Sequence, residues 1–313
     1  MGKTMNERKI SKTKAVEYRF IFLTLLYPGI MFLVFYVGLN SASFAYSFLE
    51  YDADLNLHWA GLQNFKKAFE MIFQGNNSLL GRGIINSISI FLVLNVLGIP
   101  IHMLTSYYLF KKRLGYRLIR FSAMMPSIVS GFVVSLLYIR VVEGPIPELL
   151  LKLGIVEEEV RILWDPKYNL ANIYIYSFWT GFGSGLIYYP NAMNQVNDEI
   201  IESATIDGAS DLRILLSIVM PSIYPTLTTF MVSGVAGIMG NAGPLYLFYG
   251  YDAPPETYFS GYYVFQQTMG SKTGTAETLY PFLSAIGIIF TIISAPITLF
   301  TKWAMEKFGP SED

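Results

Sequence analysis

Cysteine is absent from this 313-residue chain, and histidine occurs only at His58 and His102. No disulfide framework and no thiolate metal site can be built from it, and a hydrolytic Ser/His/Asp set has almost no material. Charge is scarce too: 14% of residues are Asp, Glu, Lys or Arg, against about 25% in a soluble domain. The formal net charge is −1, which offers nucleic acid no basic surface. A phosphate-cradling loop needs Gly, a four-residue gap, then Gly-Lys-Ser/Thr. Gly2-Lys3-Thr4 has no upstream Gly, and Gly270-Ser271-Lys272-Thr273 has the wrong spacing. The chain is therefore not expected to hydrolyse ATP or to be an enzyme, and no cofactor or metal site is read in it. Met1-Gly2 lacks the Ser or Thr at position 6 that myristoylation uses, since Asn6 stands there.

What the chain has instead is apolar length. Hydrophobic residues make up 53%, and a spanning helix needs about 20 mostly apolar residues for roughly 30 Å of hydrocarbon. Six stretches qualify: Phe20 to Leu39, Ile84 to Phe110, Leu118 to about Tyr138, Leu170 to Pro190, Ile223 to about Phe248, and Tyr280 to Thr301. The expected fold is an all-α integral membrane protein of about six spans. The first run reads as an uncleaved span, because no small-residue cleavage site follows it. Pro28, Pro100, Pro126 and Pro296 fall inside spans and are expected to kink them, which membrane helices tolerate.

Orientation follows the distribution of base. The N-terminal tail carries Lys3, Arg8, Lys9, Lys12, Lys14 and Arg19, and the short second connection carries Lys111, Lys112, Arg113 and Arg117. The third connection is acidic, with Glu143, Glu148, Glu157, Glu158 and Glu159. Both termini and connections two and four are thus expected in the cytoplasm. The organisation reads as a basic tail over 1–19, a membrane domain over 20–304 with its core at about 83–304, and a short tail over 305–313.

The cores of the six runs contain no Asp, Glu or Lys. Transporters driven by protons or sodium usually keep a carboxylate or a broken helix at mid-membrane. If this chain transports, the energy arrives from outside the bilayer. His102 is read as a neutral imidazole bonded to a neighbouring helix.

The fourth connection, NDEIIESATIDGASDLRILLSIVMP from Asn197 to Pro221, has its own grammar. Asn197 or Asp198 can cap a helix, and Asp198 and Glu199 suit its positive end. Ile200, Ile201 and Ala204 form an apolar stripe. Gly208 can take the left-handed conformation that ends the helix. Ser210 or Asp211 then caps a second helix, and Pro221 punctuates the return to the membrane. The short side chains of Ser203, Ala204, Gly208 and Ala209 would let another surface approach closely.

This segment resembles the EAA motif of binding-protein-dependent ABC importer permeases: Glu202-Ser203-Ala204, then Asp207-Gly208-Ala209, then Ile218 and Met220-Pro221. Ser203 for Ala and Met220 for Leu are the two departures. Ala60-Gly61-Leu62-Gln63-Asn64-Phe65 is similar to the Gly-Leu-x-Asn-Tyr/Phe element of sugar permeases, Asn86-Ser87 to their Asn-Thr/Ser, and Trp179 and Gly181 also fit. Together they resemble the carbohydrate-uptake group, in the maltose-type first-subunit class without its large extracytoplasmic insertion. The resemblance implies a permease in the bacterial inner membrane that translocates a sugar or oligosaccharide. It implies a second homologous permease, two cytoplasmic ABC ATPases that carry ATP and Mg, and an extracytoplasmic binding protein. The segment of Glu202, Ser203, Ala204, Asp207, Gly208, Ala209, Ile218 and Pro221 would be the coupling helix that docks an ATPase.

The same resemblance puts substrate contacts on spans four and five, at Thr180, Gly181, Ser184, Gly234, Gly237 and Asn241. The Asn amide donates and accepts as sugar hydroxyls do. Gly234, Gly237 and Asn241 are read on one helical face. Helix packing, which also favours Gly and Ser in membranes, is the competing account for every one of these positions. Two other readings stay open: an ABC permease for polyamine, phosphate or metal, and a stand-alone secondary transporter or channel.

Overall fold

The computed structural model describes residues 2–158, 160–269 and 276–310. Glu159 and the Gly270–Thr273 look-alike lie outside the described residues. The chain divides into two compact units, one of residues 1–66 with 278–288 and one of residues 67–277 with 289–313.

The first unit begins with α1 (Gly2–Met31), passes through a π-helical stretch (Phe32–Gly38) and continues as α2 (Leu39–Tyr46). Every residue from Val16 to Ala45 is exposed in the isolated chain. A helix that is apolar all round and unburied belongs in lipid or against another membrane chain. After it, β1 (Leu49–Tyr51) and β2 (Leu57–Trp59) form an antiparallel hairpin that pairs Leu49 with Trp59. Asn64, of the Gly-Leu-x-Asn element, is buried, and its Nδ2 donates to Ser47 O at 3.1 Å and Leu49 O at 2.7 Å. Phe48 stacks on Trp59 at 5.6 Å and meets Phe65 at 5.3 Å. The element is thus a clasp on the hairpin. Asn64→Ala removes both bonds and leaves two carbonyls short of a donor. It is expected to loosen the hairpin by about 1–3 kcal/mol, read as faster amide exchange over 47–59 with exchange in the second unit unchanged.

The second unit takes up the chain within α3 (Gln63–Phe73) and continues through α4 (Leu79–Val96), α5 (Gly98–Phe110), α6 (Tyr116–Ile128), α7 (Gly131–Val142) and α8 (Pro145–Lys152). Then come α9 (Asn169–Met193), α10 (Asp198–Ile206), α11 (Asp211–Ile214), a π turn (Leu215–Val219), α12 (Met220–Ser222), α13 (Tyr224–Gly237), α14 (Leu245–Tyr249) and α15 (Ser260–Met269). The last helix, α16 (Ala276–Phe308), contributes residues to both units. α9 packs along α5 and α6, and α4 along α15.

Among the described residues three helical segments are long and apolar enough to cross a membrane: Val16–Tyr46, Leu79–Phe110 and Thr278–Phe308. Two bent pairs raise the number to five. Tyr116–Ile128 and Gly131–Lys152 meet at 106°, and Asp211–Ser222 and Tyr224–Gly237 meet at 70°. The expected fourth span is present as the 25-residue α9, about 37 Å long at ~1.5 Å per residue. It falls short in apolarity because Asn169, Asn172, Ser177, Thr180, Ser184 and Asn191 punctuate it. The prolines act unequally. Helix α4 gives way to α5 at Leu97, just before Pro100, and α6 ends at Ile128, just after Pro126. Pro28 and Pro296 sit inside uninterrupted helices.

One clasp ties α4 to a segment some 170 residues away. Asn86 Nδ2 donates to Glu256 O and Tyr258 O, each at 2.8 Å. The hydroxyls of Ser87 and Ser260 are 2.9 Å apart, and Ser260 Oγ donates to Met239 O at 2.8 Å. Gly83, on the same face, admits the Phe259 backbone to within 2.9 Å of where a Cβ would stand.

Candidate functional site

The fourth connection folds as its caps dictate. Asn197 Oδ1 accepts from Glu199 N at 2.9 Å and starts α10. Ala209 N donates to Ala204 O at 2.9 Å and Gly208 N to Thr205 O at 3.1 Å, with Gly208 at φ +81°. This pair of bonds around a left-handed residue is a Schellman motif, which satisfies the orphan carbonyls of the last turn. Ser210 then caps α11, its Oγ accepting from Arg213 N at 3.4 Å.

One expectation needs correction. Ile200 does not join the inward stripe: Ile201 is buried and Ala204 packs beside it, while Ile200 is 52% exposed. At Pro221 the chain runs on to Ser222 and bends by 70° at Ile223, and the residues before the proline form the π turn. A proline offers no N–H to the carbonyl a turn before it, and a π bulge is one way the ladder adjusts.

Glu202, Ser203, Asp207 and Gly208 are exposed, whereas Ala204, Ala209 and Ile218 touch the core. That core joins Met103 and Tyr107 of α5, Tyr189 and Met193 of α9, and Ile214, Leu215 and Val219. Ala204, Asp207, Gly208, Ala209, Arg213, Ile214, Ser217 and Ile218 line an open hollow of about 280 Å³. Sequence reasoning missed one tie. Asp211 pairs with Arg113 of the second connection and also accepts from Tyr107 OH at 3.3 Å. Each residue had a local explanation, Asp211 as a cap and Arg113 as inward charge, so nothing in the sequence linked them.

The residues expected to line a pathway separate into two sets. Gly181, Ser184 and Gly237 are exposed, and an added Cβ at either glycine would meet nothing within 4 Å. Ser184 Oγ donates to Gly181 O at 2.7 Å. The other three have local tasks. Thr180 Oγ1 donates to Tyr176 O at 2.9 Å. Gly234 is exposed as well, but a Cβ there would sit 3.0 Å from the Phe91 ring. Asn241 is not on a helix at all, since α13 ends at Gly237, so the three residues do not share one face. Its Oδ1 accepts from Gly243 N at 2.8 Å, and its carbonyl accepts from Gly261 N at 3.0 Å. The expected hydrogen bond of His102 is not made either. Its ring stacks on Phe182 at 4.5 Å, in space left by Gly185, and its Nδ1 has no hydrogen-bond partner among the described residues.

The class of protein, a permease of a transport system, follows from a family match over most of the chain. This chain belongs to the family described as "binding-protein-dependent transport system inner membrane component", whose model matches residues 95–312. It is similar to the probable ABC transporter permease protein YesP of Bacillus subtilis, 27% identical over 259 residues, 76% of this chain and 78% of that one. It is also similar to the multiple sugar-binding transport system permease protein MsmF of Streptococcus mutans, 23% identical, with 58% of this chain and 61% of that one covered. Among solved structures, a chain of a bacterial ABC transporter involved in import of the acidic polysaccharide alginate superposes with a TM-score of 0.74 at 18% identity, over 95% of this chain and 99% of that one. The bacterial alginate transporter in complex with its alginate pentasaccharide-bound periplasmic protein gives 0.72, also at 18% identity, over 94% and 96%. At that identity the likeness is one of fold. The chain is thus a bacterial membrane permease subunit and not itself an enzyme.

Proposed function

We propose that this chain is a multi-pass inner-membrane permease of an ATP-driven importer, and that it passes a sugar or oligosaccharide delivered by an extracytoplasmic binding protein. It works beside a second homologous permease and two cytoplasmic ATPases, which carry the ATP and Mg. The observation that carries the reading is the Asn197–Ser210 loop. Its exposed Asp207 and Gly208 line a hollow of about 280 Å³, Glu202 and Ser203 are exposed on the helix beside it, and Ile201 and Ala204 root it in the core shared by α5, α9 and α11. A push on that exposed side therefore reaches two membrane helices through close-packed side chains, which transmit displacement rather than absorb it. The names of relatives such as MsmF support the sugar. Gly181, Ser184 and Gly237 are the pathway positions the reading favours.

The test is a Cys at Ser203 cross-linked in membranes, together with uptake of labelled maltose, raffinose, an arabino-oligosaccharide and digalacturonate by the reconstituted transporter. The expected result is a nucleotide-dependent adduct with an ATPase subunit and accumulation of one saccharide class. Absence of any ATPase adduct in every nucleotide state overturns the coupling assignment. Transport of only a polyamine, phosphate or metal ion overturns the sugar.

A further inference from the structure

We propose that the hollow formed by Ile139, Glu143, Arg161, Leu163, Trp164 and Phe248 is a sugar-binding subsite at the extracytoplasmic mouth of the permease, an inference that rests on the carbohydrate reading above. The hollow measures about 600 Å³, within the range of roughly 300–1,000 Å³ that small-molecule sites occupy. It lies where the third connection leaves α7, the side that the distribution of base puts outside.

Its wall is prepared in advance. The turn from Arg161 to Trp164 is pinned at Leu163, which is buried. Leu163 N donates to Glu143 Oε1 at 2.6 Å, and Leu163 O accepts from Tyr249 OH at 2.6 Å. Both backbone groups of one residue are thus held by side chains from the cap of α7 and from α14. Trp164 N closes the turn onto Arg161 O at 2.9 Å. The pinned turn presents two side chains. Trp164 is 42% exposed, and the Arg161 guanidinium lies 5.5 Å from its ring centre. Arg161 Nε is 3.9 Å from Glu143 Oε2.

This arrangement suits a saccharide. The flat indole offers a face for the C–H side of a pyranose ring. The guanidinium has five N–H donors in a fork, more than one contact with Glu143 can use, and they suit hydroxyl or carboxylate oxygens. The Glu143 carboxylate supplies acceptor capacity at the same rim. The pinned backbone of the turn spares the ordering cost of the loop itself when a ligand binds.

A chain of ring contacts runs inward from the hollow. Trp164 meets Tyr249 edge-on at 5.2 Å, Tyr249 meets Phe248 at 6.0 Å, and Phe248 stacks on Tyr138 at 5.7 Å. Tyr138 stacks on Trp179 at 6.1 Å. Trp179 is 43% exposed and immediately precedes Thr180 and Gly181 on α9. Two exposed indoles are therefore braced on one aromatic core. One stands at the outer hollow, the other at the head of the stretch assigned to the pathway.

The test uses the complete transporter in proteoliposomes with its binding protein, and the panel saccharide that the wild type accumulates. Trp164→Ala and Arg161→Gln are expected to lower initial uptake about ten-fold each, as loss of a Trp or Arg anchor that a bound ligand covers does. Stimulation of ATP hydrolysis by loaded binding protein should persist. Trp164→Phe, which keeps a ring face, should retain most uptake. Wild-type uptake by both Trp164→Ala and Arg161→Gln overturns the subsite. Loss of ATPase stimulation along with uptake also overturns it, since the turn would then be a docking surface for the binding protein. If Trp164→Ala extracts poorly, Arg161→Gln decides, because that side chain is 74% exposed and bears no core load. A wild type that accumulates none of the panel fails the carbohydrate reading itself, an outcome separate from the other two.

Discussion

Gly208→Val is expected to abolish uptake while the chain still inserts in the membrane at normal yield. Gly208 holds φ +81°, and a Cβ there would meet nothing within 4 Å. The damage is therefore conformational rather than steric. A left-handed backbone costs an ordinary L-residue about 1–2 kcal/mol, and a β-branched one more. The chain escapes that cost by unwinding the Schellman turn, which frees the Ala209-to-Ala204 and Gly208-to-Thr205 bonds and moves the cap at Ser210. The exposed edge of Glu202 and Ser203 then no longer faces outward on a fixed helix. Gly208→Asn, which tolerates the left-handed region better than other non-glycine residues, should keep a measurable fraction of uptake. The measurements are ATP-driven uptake and co-purification of the ATPase. Uptake by Gly208→Val above that of Gly208→Asn would defeat the argument.

Asn86→Leu should have the largest effect on stability. Leucine keeps the volume, but two carbonyls, Glu256 O and Tyr258 O, lose their only described side-chain donor. An unsatisfied buried acceptor costs about 1–3 kcal/mol, so the pair is worth about 2–6 kcal/mol. The expected signs are a lower melting temperature of the detergent-extracted complex and reduced yield. Asn95→Leu serves as the control, because its amide bonds only its own helix at Phe91 O, 2.7 Å away. Equal melting of Asn86→Leu and the wild type would show that the clasp carries no weight.

The features legible in the sequence were those whose causes are local. Asn197, Gly208 and Ser210 act on neighbours within five residues, and the loop they build matches the one read from their order. The first, second and sixth apolar runs were legible for the same reason, since length and apolarity are properties of a segment, whereas the third is broken by a 106° bend and the helix of the fifth stops at Gly237. The stretch from Gly234 to Asn241 was misread because a helical period was carried past the point where the helix stops. What stops it is partly local, the turn in which Asn241 Oδ1 accepts from Gly243 N ahead of Pro244, and partly remote: the backbone of Gly240 comes within 2.3 Å of where a Cβ on Gly261 would stand, and Gly261 N bonds Asn241 O. No local pattern announces that crossing. The tie between Arg113 and Asp211 was hidden in the same way, as a contact between residues that each already had a use.

The Schellman turn has one more implication, for engineering. A segment that carries its own start, stop and corner in residues 197–210, and meets the rest of the protein mainly through Ile201, Ala204 and Ala209, behaves as a cassette. A chimera that transplants it between permeases, with one Ile-sized and two Ala-sized apolar residues kept at those three seats, is expected to leave the bilayer-embedded helices folded as before.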